Sequence, residues 1–362
     1  MGRLRRLCLI LLALLFAALL LMAATPQGRT AYHTLLFISQ VTPSLPRVTL
    51  LQSAPERTAV NVPTPEGVRE ADLYLPPGDG PFAAVVLFLG VAPAGRDDPR
   101  VVNLAEGLAR AGMATLVYWS PEKAMERVHE PDVANLAAAH RYLRGQPYAD
   151  AERVGLAGFC VGASFALMAA AHPDARAHVS FVNAFGPYDD MERLLMAVAT
   201  RSQSSPDGPV PWEPNDLTLR VAQRMLEESL EEERARASPA EMARYEAAVA
   251  LVLAGTDAPS ARRAIADLPP ALRERIARVS PQAYVSEIRA PVLLMHDRAD
   301  DLVPVDGSRS LYTALSERGD ARYTEFSLFQ HVDPTRPLPP WEQARELVKL
   351  YRHMYAVLRQ AS

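Results

Sequence analysis

The sequence predicts an α/β fold: a mostly parallel central sheet flanked by helices, with a helical cap inserted after the sixth strand. Three observations carry this expectation. Apolar runs of strand length alternate with segments of helical period, the pattern of a parallel sheet with right-handed crossovers and ligands at the carboxyl ends of its strands. In 152–170, ERVGLAGFCVGASFALMAA, a short apolar run enters a GxCxG turn and an Ala-rich helical run leaves it. Between 191 and 279 the alternation stops, and only helical segments can be found.

Taken in order, the chain opens with Arg3, Arg5 and Arg6 ahead of an unbroken apolar run over 7–24. As a helix that run would be about 27 Å long at about 1.5 Å per residue, nearly the thickness of a bilayer. Basic residues on its N-terminal side predict that this end stays in the cytoplasm and the rest is exported. Residues 1–25 are expected to be a signal peptide or a signal anchor. Ala23 and Ala24 permit cleavage, whereas Leu21 or Met22 at the −3 position fits poorly, which favours the anchor. The domain would then be membrane-anchored or secreted, outside the cytoplasm. A second apolar patch, 34–41, is too short to span, and with Pro43 and Pro46 behind it 26–46 reads as a membrane-proximal linker.

The folded core is expected over 47–190 and 286–362, interrupted by a cap over 191–285. Strands are expected at 58–62, bounded by Pro63, Pro65 and Gly67, at 68–75, ended by Pro76-Pro77-Gly78, and at 82–89, whose continuous apolar run marks a buried central strand. A helix over 101–111 puts Leu104, Leu108 and Ala111 on one face and stops at Gly112. The strand 113–119, the helix 133–143, the strand 154–158 and the strand 178–185 continue the alternation. Cap helices are expected at 191–200, 217–236, 240–253 and 261–277, the third opened by a Ser238-Pro239-Ala240-Glu241 capping box. The sheet resumes at 290–296, followed by a helix at 308–318, a strand at 323–329 and a closing amphipathic helix at 341–358.

Composition narrows the function. The 362 residues are 49% hydrophobic and 22% charged, with a net charge of −4, enough for a sizeable core and without a basic stripe beyond the N-terminus. Nucleic acid is thereby disfavoured as a partner, and a small molecule is expected. The two cysteines, Cys8 and Cys160, exclude a disulfide framework. The acidic run Glu227, Glu228, Glu231, Glu232 and Glu233 is spaced as a solvated helix face among Arg234 and Arg236, so no metal and no cofactor is expected. Trp212 stands in a Pro-rich loop before the cap helices, where it would either line a pocket or pack the cap.

In the turn Gly158-Phe159-Cys160-Val161-Gly162 the central residue would sit on a strained backbone with its side chain clear of the sheet. The helix N-terminus beyond it favours negative charge, and a thiol there should ionise more readily than a free one. These residues resemble the nucleophile turn of the α/β-hydrolase superfamily, and with cysteine at the centre they look most like the dienelactone hydrolase family. That resemblance implies the α/β-hydrolase fold and a Cys-His-Asp triad. Asp297-Arg298-Ala299-Asp300-Asp301-Leu302-Val303-Pro304 resembles the superfamily's acid loop with Asp297 in place of glycine, which aligns Asp300 as the acid; Asp301, Asp189 and Asp190 stay as alternatives. His331, just after the last strand, stands where the superfamily has its base. The oxyanion would be held by the backbone amides of Val161 and of Gly90 or Val91, in a stretch where Leu89 replaces a common histidine. Ser164, one turn into the helix, is the weaker nucleophile, since a hydroxyl there usually bonds the backbone.

The expected activity is hydrolysis of a small ester, lactone or thioester through an acyl-thioester intermediate. A thiolate expels amines poorly, so unactivated peptides fit less well. Two other readings stay open: an acyltransferase resembling polyhydroxyalkanoate synthase, and a non-catalytic binding domain on a hydrolase scaffold.

Overall fold

A computed structural model describes residues 6, 10, 17, 24–46, 53–91 and 95–361. Most of the apolar run over 7–24, the expected domain start at Arg47 and residues 92–94 lie outside the described residues. Among the described residues no helix is long and apolar enough to cross a membrane.

Among the described residues eight strands form one sheet, in the order β1 (Glu56–Thr64), β2 (Gly67–Leu75), β4 (Met113–Tyr118), β3 (Phe82–Phe88), β5 (Ala149–Phe159), β6 (Val182–Phe185), β9 (Val292–Asp297) and β10 (Ala321–Phe326). The pairs β1/β2 and β2/β4 are antiparallel, and every pair from β4 to β10 is parallel. β1 runs on through Pro63, which pairs with Val68; β1 is the edge strand, where a residue without an N–H is tolerated. β6 and β10 are each shorter than the apolar runs that announce them. At the end of β10 the chain turns away because the Ser327 amide donates to Glu346 and the Phe329 amide to Asp297, leaving no ladder to extend.

One face of the sheet carries α4 (Asp132–Arg144), which the single turn α3 (Pro121–Ala124) precedes, with α5 (Val161–Ala171) and α11 (Val305–Ser316). Behind the other lie α2 (Pro99–Arg110), α12 (Pro340–Leu358) and, contrary to the linker expected at 26–46, α1 (Pro26–Val41). The Thr25 side chain caps α1 by accepting from the Gly28 amide, and Pro26 supplies the first turn. Thr30 and Thr34 satisfy their buried hydroxyls on the carbonyls of Pro26 and Thr30, so a helix with polar residues on its inner face still buries Leu36, Phe37 and Ile38. It docks on α2 and α12. Gly107 of α2 admits it: a Cβ there would stand 3.1 Å from the Phe37 ring.

Between β6 and β9 the chain forms α6 (Met191–Thr200), α7 (Asp216–Glu233), α8 (Pro239–Ala254), α9 (Ala258–Ala266) and α10 (Pro270–Arg278). A short hairpin, β7 (Ser202–Gln203) with β8 (Val210–Pro211), adds two small strands that the sequence did not announce. The capping box at Ser238 and Glu241 is formed in both directions. The acidic run of α7 faces arginines, Glu228 to Arg127, Glu232 to Arg275 and Glu231 to Arg234.

Candidate active site

β5 delivers the chain into a turn that only small residues allow. A Cβ at Gly158 would fall 2.3 Å from the Gly162 carbonyl oxygen, and one at Gly162 would fall 2.5 Å from the carbonyl oxygens of Phe88 and Leu89. Both glycines are therefore fixed by backbone approach, and they bring the start of α5 hard against the end of β3. Between them Cys160 is held at φ 55°, ψ −132°, a conformation strained for any residue with a Cβ. Its amide donates to the Phe185 carbonyl, which anchors the turn to β6. Gly90, at the exit of β3, packs on the cysteine: a Cβ there would meet Cys160 Cβ at 2.8 Å and Sγ at 3.4 Å. Gly90, Val91 and Val161 thus flank the thiol, which is itself 5% exposed.

The loop after β9 supplies a buried carboxylate. Asp300 Oδ1 accepts from the amides of Leu302 (2.8 Å) and Val303 (3.1 Å), and Oδ2 accepts from Nδ1 of His331 at 2.8 Å. His331 lies in a tight loop closed by paired bonds between Gln330 and Asp333, at φ 55°. Burial pulls the imidazole pKa down; the Asp300 carboxylate and the Cys160 sulfur outweigh it and hold the group well above an ordinary histidine. Burial pushes Asp300 up, and the two imidazoles of His331 and His296 outweigh that, keeping it ionised far below the usual carboxylate range. Cys160, His331 and Asp300 come together at the carboxyl ends of β5, β10 and β9.

The other acids point elsewhere. Asp301 is exposed and accepts from the Asn215 side chain, while Asp190 caps α6. Asp189 is buried and paired with Arg193 at 3.0 Å. The Ser164 hydroxyl donates to the Tyr188 carbonyl at 2.9 Å inside the core.

Four supporting residues were not singled out by sequence for the roles they take. His296, fully buried in β9, places Nε2 at 3.3 Å from Asp300 Oδ2 and 3.0 Å from the Val303 carbonyl, with Nδ1 at 2.7 Å from Ser308 Oγ. Asp297 stands where a glycine would leave the turn loose. It accepts from the amides of Ala299 and Phe329 and pairs with Arg336 at 3.0 Å, tying the acid loop to the loop of His331. Trp212 packs rather than lining a pocket: its indole N–H donates to the Asp300 carbonyl at 2.7 Å, and Thr218 Oγ1 donates to Leu302, so the cap is stitched to the acid loop. Lys123 is buried with Nζ 3.4 Å from Asp132 Oδ2 and 4.1 Å from the centre of the Phe165 ring. Burial lowers its pKa against the pull of Asp132.

Residues 115–197 match the model of the dienelactone hydrolase family, a stretch that runs from β4 through the Cys160 turn into α6. No curated protein matches the chain. Among solved structures, the acylaminoacyl peptidase of Pyrococcus horikoshii is similar at TM-score 0.53 and 15% identity, over 85% of this chain and 42% of that one. A puromycin-hydrolyzing peptidase of Mycobacterium tuberculosis is similar at TM-score 0.52 and 19% identity, over 87% of this chain and 40% of that one. The 2,6-dihydroxy-pseudo-oxynicotine hydrolase is similar at TM-score 0.51 and 14% identity, over 85% and 68%. This chain thus spans about two fifths of the length of these peptidases. At such identities the likeness is one of fold, and with the sheet order, the nucleophile-type turn and the segment 115–197 similar to the dienelactone hydrolase family, the chain has the α/β-hydrolase fold.

Proposed function

We propose that the protein is a hydrolase of carboxylic esters or thioesters, lactones included, with Cys160 as nucleophile, His331 as base and Asp300 as the acid that orients it. The observation that carries this reading is the buried Asp300–His331 hydrogen bond aimed at a thiol on a strained strand-to-helix turn. His331 Nε2 takes the Cys160 proton, and the sulfur adds to the carbonyl carbon. The tetrahedral oxyanion is stabilised by the amides of Val161 and of Gly90 or Val91, each donor worth about 2.7 to 4 kcal/mol in comparable sites. As the intermediate collapses, the C–O or C–S bond to the leaving group breaks and His331 returns the proton to it. Water then adds to the acyl thioester, giving its proton to His331. The carboxylic acid leaves and the proton returns to Cys160.

Arg3, Arg5 and Arg6 ahead of the apolar run 7–24 support a domain exported and held at, or released from, a membrane. The decisive experiment follows hydrolysis of p-nitrophenyl esters and simple lactones by the full chain beside Cys160→Ala. Loss of turnover in the variant, with its melting temperature kept, is the expected outcome. Equal activity of the two proteins would refute the thiol mechanism.

A further inference from the structure

Two apolar cavities meet at Cys160. The one beneath the cap is small, about 40 Å³, and is lined by Leu195, Val221 and Met225. The other runs away from the cap, between the sheet and the helices α1, α2 and α12, and encloses about 580 Å³. Cys160 and His331 are part of its lining, together with Leu87, Phe181, Leu104 and Met354 and with Phe37 of α1. A volume of this size is that of a small-molecule site, and close-packed interiors do not otherwise leave one open.

We propose that this cavity takes the hydrocarbon chain of a fatty acyl group, so that the substrate is a medium- to long-chain ester or thioester. The proposal rests on Cys160 as the nucleophile and names the acyl group it would carry. Val85, Leu87 and Leu89 line the cavity from one face of β3, and the four steps from residue 85 to 89 span about 13 Å at about 3.3 Å each. An extended chain that advances about 1.2 Å per bond, as an extended backbone does, fills that depth with about ten to twelve carbons. Val128 and Met225 line both the small cavity and a charged crevice of about 530 Å³ walled by Arg127, Arg224 and Arg275 among glutamates.

The test uses the full chain, a p-nitrophenyl ester series from acetate to palmitate, and binding of dodecanoate to Cys160→Ala. The expected kcat/KM rises about two- to fourfold per added methylene up to about ten to twelve carbons, the gain of burying each one. Leu104→Trp and Met354→Trp, on different helices, should each shorten the preferred chain by several carbons and weaken dodecanoate binding at least tenfold, with folding checked by melting temperature. Turnover that depends on Cys160 but is flat or falling beyond butyrate would overturn the acyl cavity and leave the thiol hydrolase standing. Dodecanoate binding that the tryptophans weaken, with no ester turned over, would support the cavity and remove the hydrolase reading. Neither turnover nor binding would overturn both.

Discussion

One oxygen of Asp300 serves two imidazoles: Oδ2 lies 2.8 Å from Nδ1 of His331 and 3.3 Å from Nε2 of His296. The carboxylate is wholly buried, so what keeps it charged is this pair of rings and the two amides on Oδ1. Replacing it with Asn keeps the shape and removes the charge that stabilises the imidazolium His331 becomes on taking the Cys160 proton. Asp300→Asn should lower kcat about 10³-fold or more, by analogy with other triads. The control is Asp301→Asn, an exposed neighbour that should stay within about twofold; equal effects of the two changes would remove Asp300 from the site.

His296 touches neither the thiol nor the space above it, and is a positioning residue. It helps hold Asp300 ionised, so its loss raises the carboxyl pKa, weakens the charge facing His331 and lets the His331 pKa fall. His296→Gln should cost about tenfold in kcat/KM and move the ionisation that depends on His331 to lower pH. A merely structural histidine would lower the melting temperature and leave the pH profile where it was.

Much of the fold and of the site is legible in the sequence because the signals are local. The period-2 and period-3.6 stretches mark the sheet and its helices, and the turn at Cys160 declares itself because two glycines are required by backbone contacts under 3 Å. Asp300 and His331 are marked in the sequence by their order after strands. What was not legible depends on distant partners. His296 ends an apolar run and reads as core, and only the fold brings it to Asp300. The helix α1 hides its docking face among threonines that bond their own backbone, so 26–46 reads as a linker, and the large cavity under α1 is invisible with it.

Lys123 and Asp132 form an ion pair in the protein interior, both almost fully buried. Removing one partner leaves the other charge without its counter-ion, which typically costs about 3 to 5 kcal/mol. Lys123→Met and Asp132→Leu should each lower stability by about that amount, and the double variant should recover most of it. If the pair is structural alone, esterase activity in the double variant returns with stability. Activity that stays low despite recovered stability would assign the Lys123 charge a part in stabilising the Cys160 thiolate.

Asp189 is buried where α6 begins, and burial pushes its pKa up from 3.8 to about 6 in spite of Arg193. A carboxyl raised in the folded state binds its proton more tightly there than in the unfolded chain. Its contribution to stability is therefore greatest below about pH 3.8 and is lost as pH rises through about 6. At neutral pH the charged group is a net cost of at most about 3 kcal/mol. Asp189→Asn removes the charge and keeps a side chain of the same shape beside the Gly307 backbone, where Asp189 Oδ1 leaves room for nothing larger. The melting temperature of the variant should exceed that of the parent at pH 7.5, and the difference should shrink as the pH is lowered toward 5. A variant that is less stable at pH 7.5 would mean that the Arg193 pairing outweighs the burial, with the sign of the pH dependence reversed.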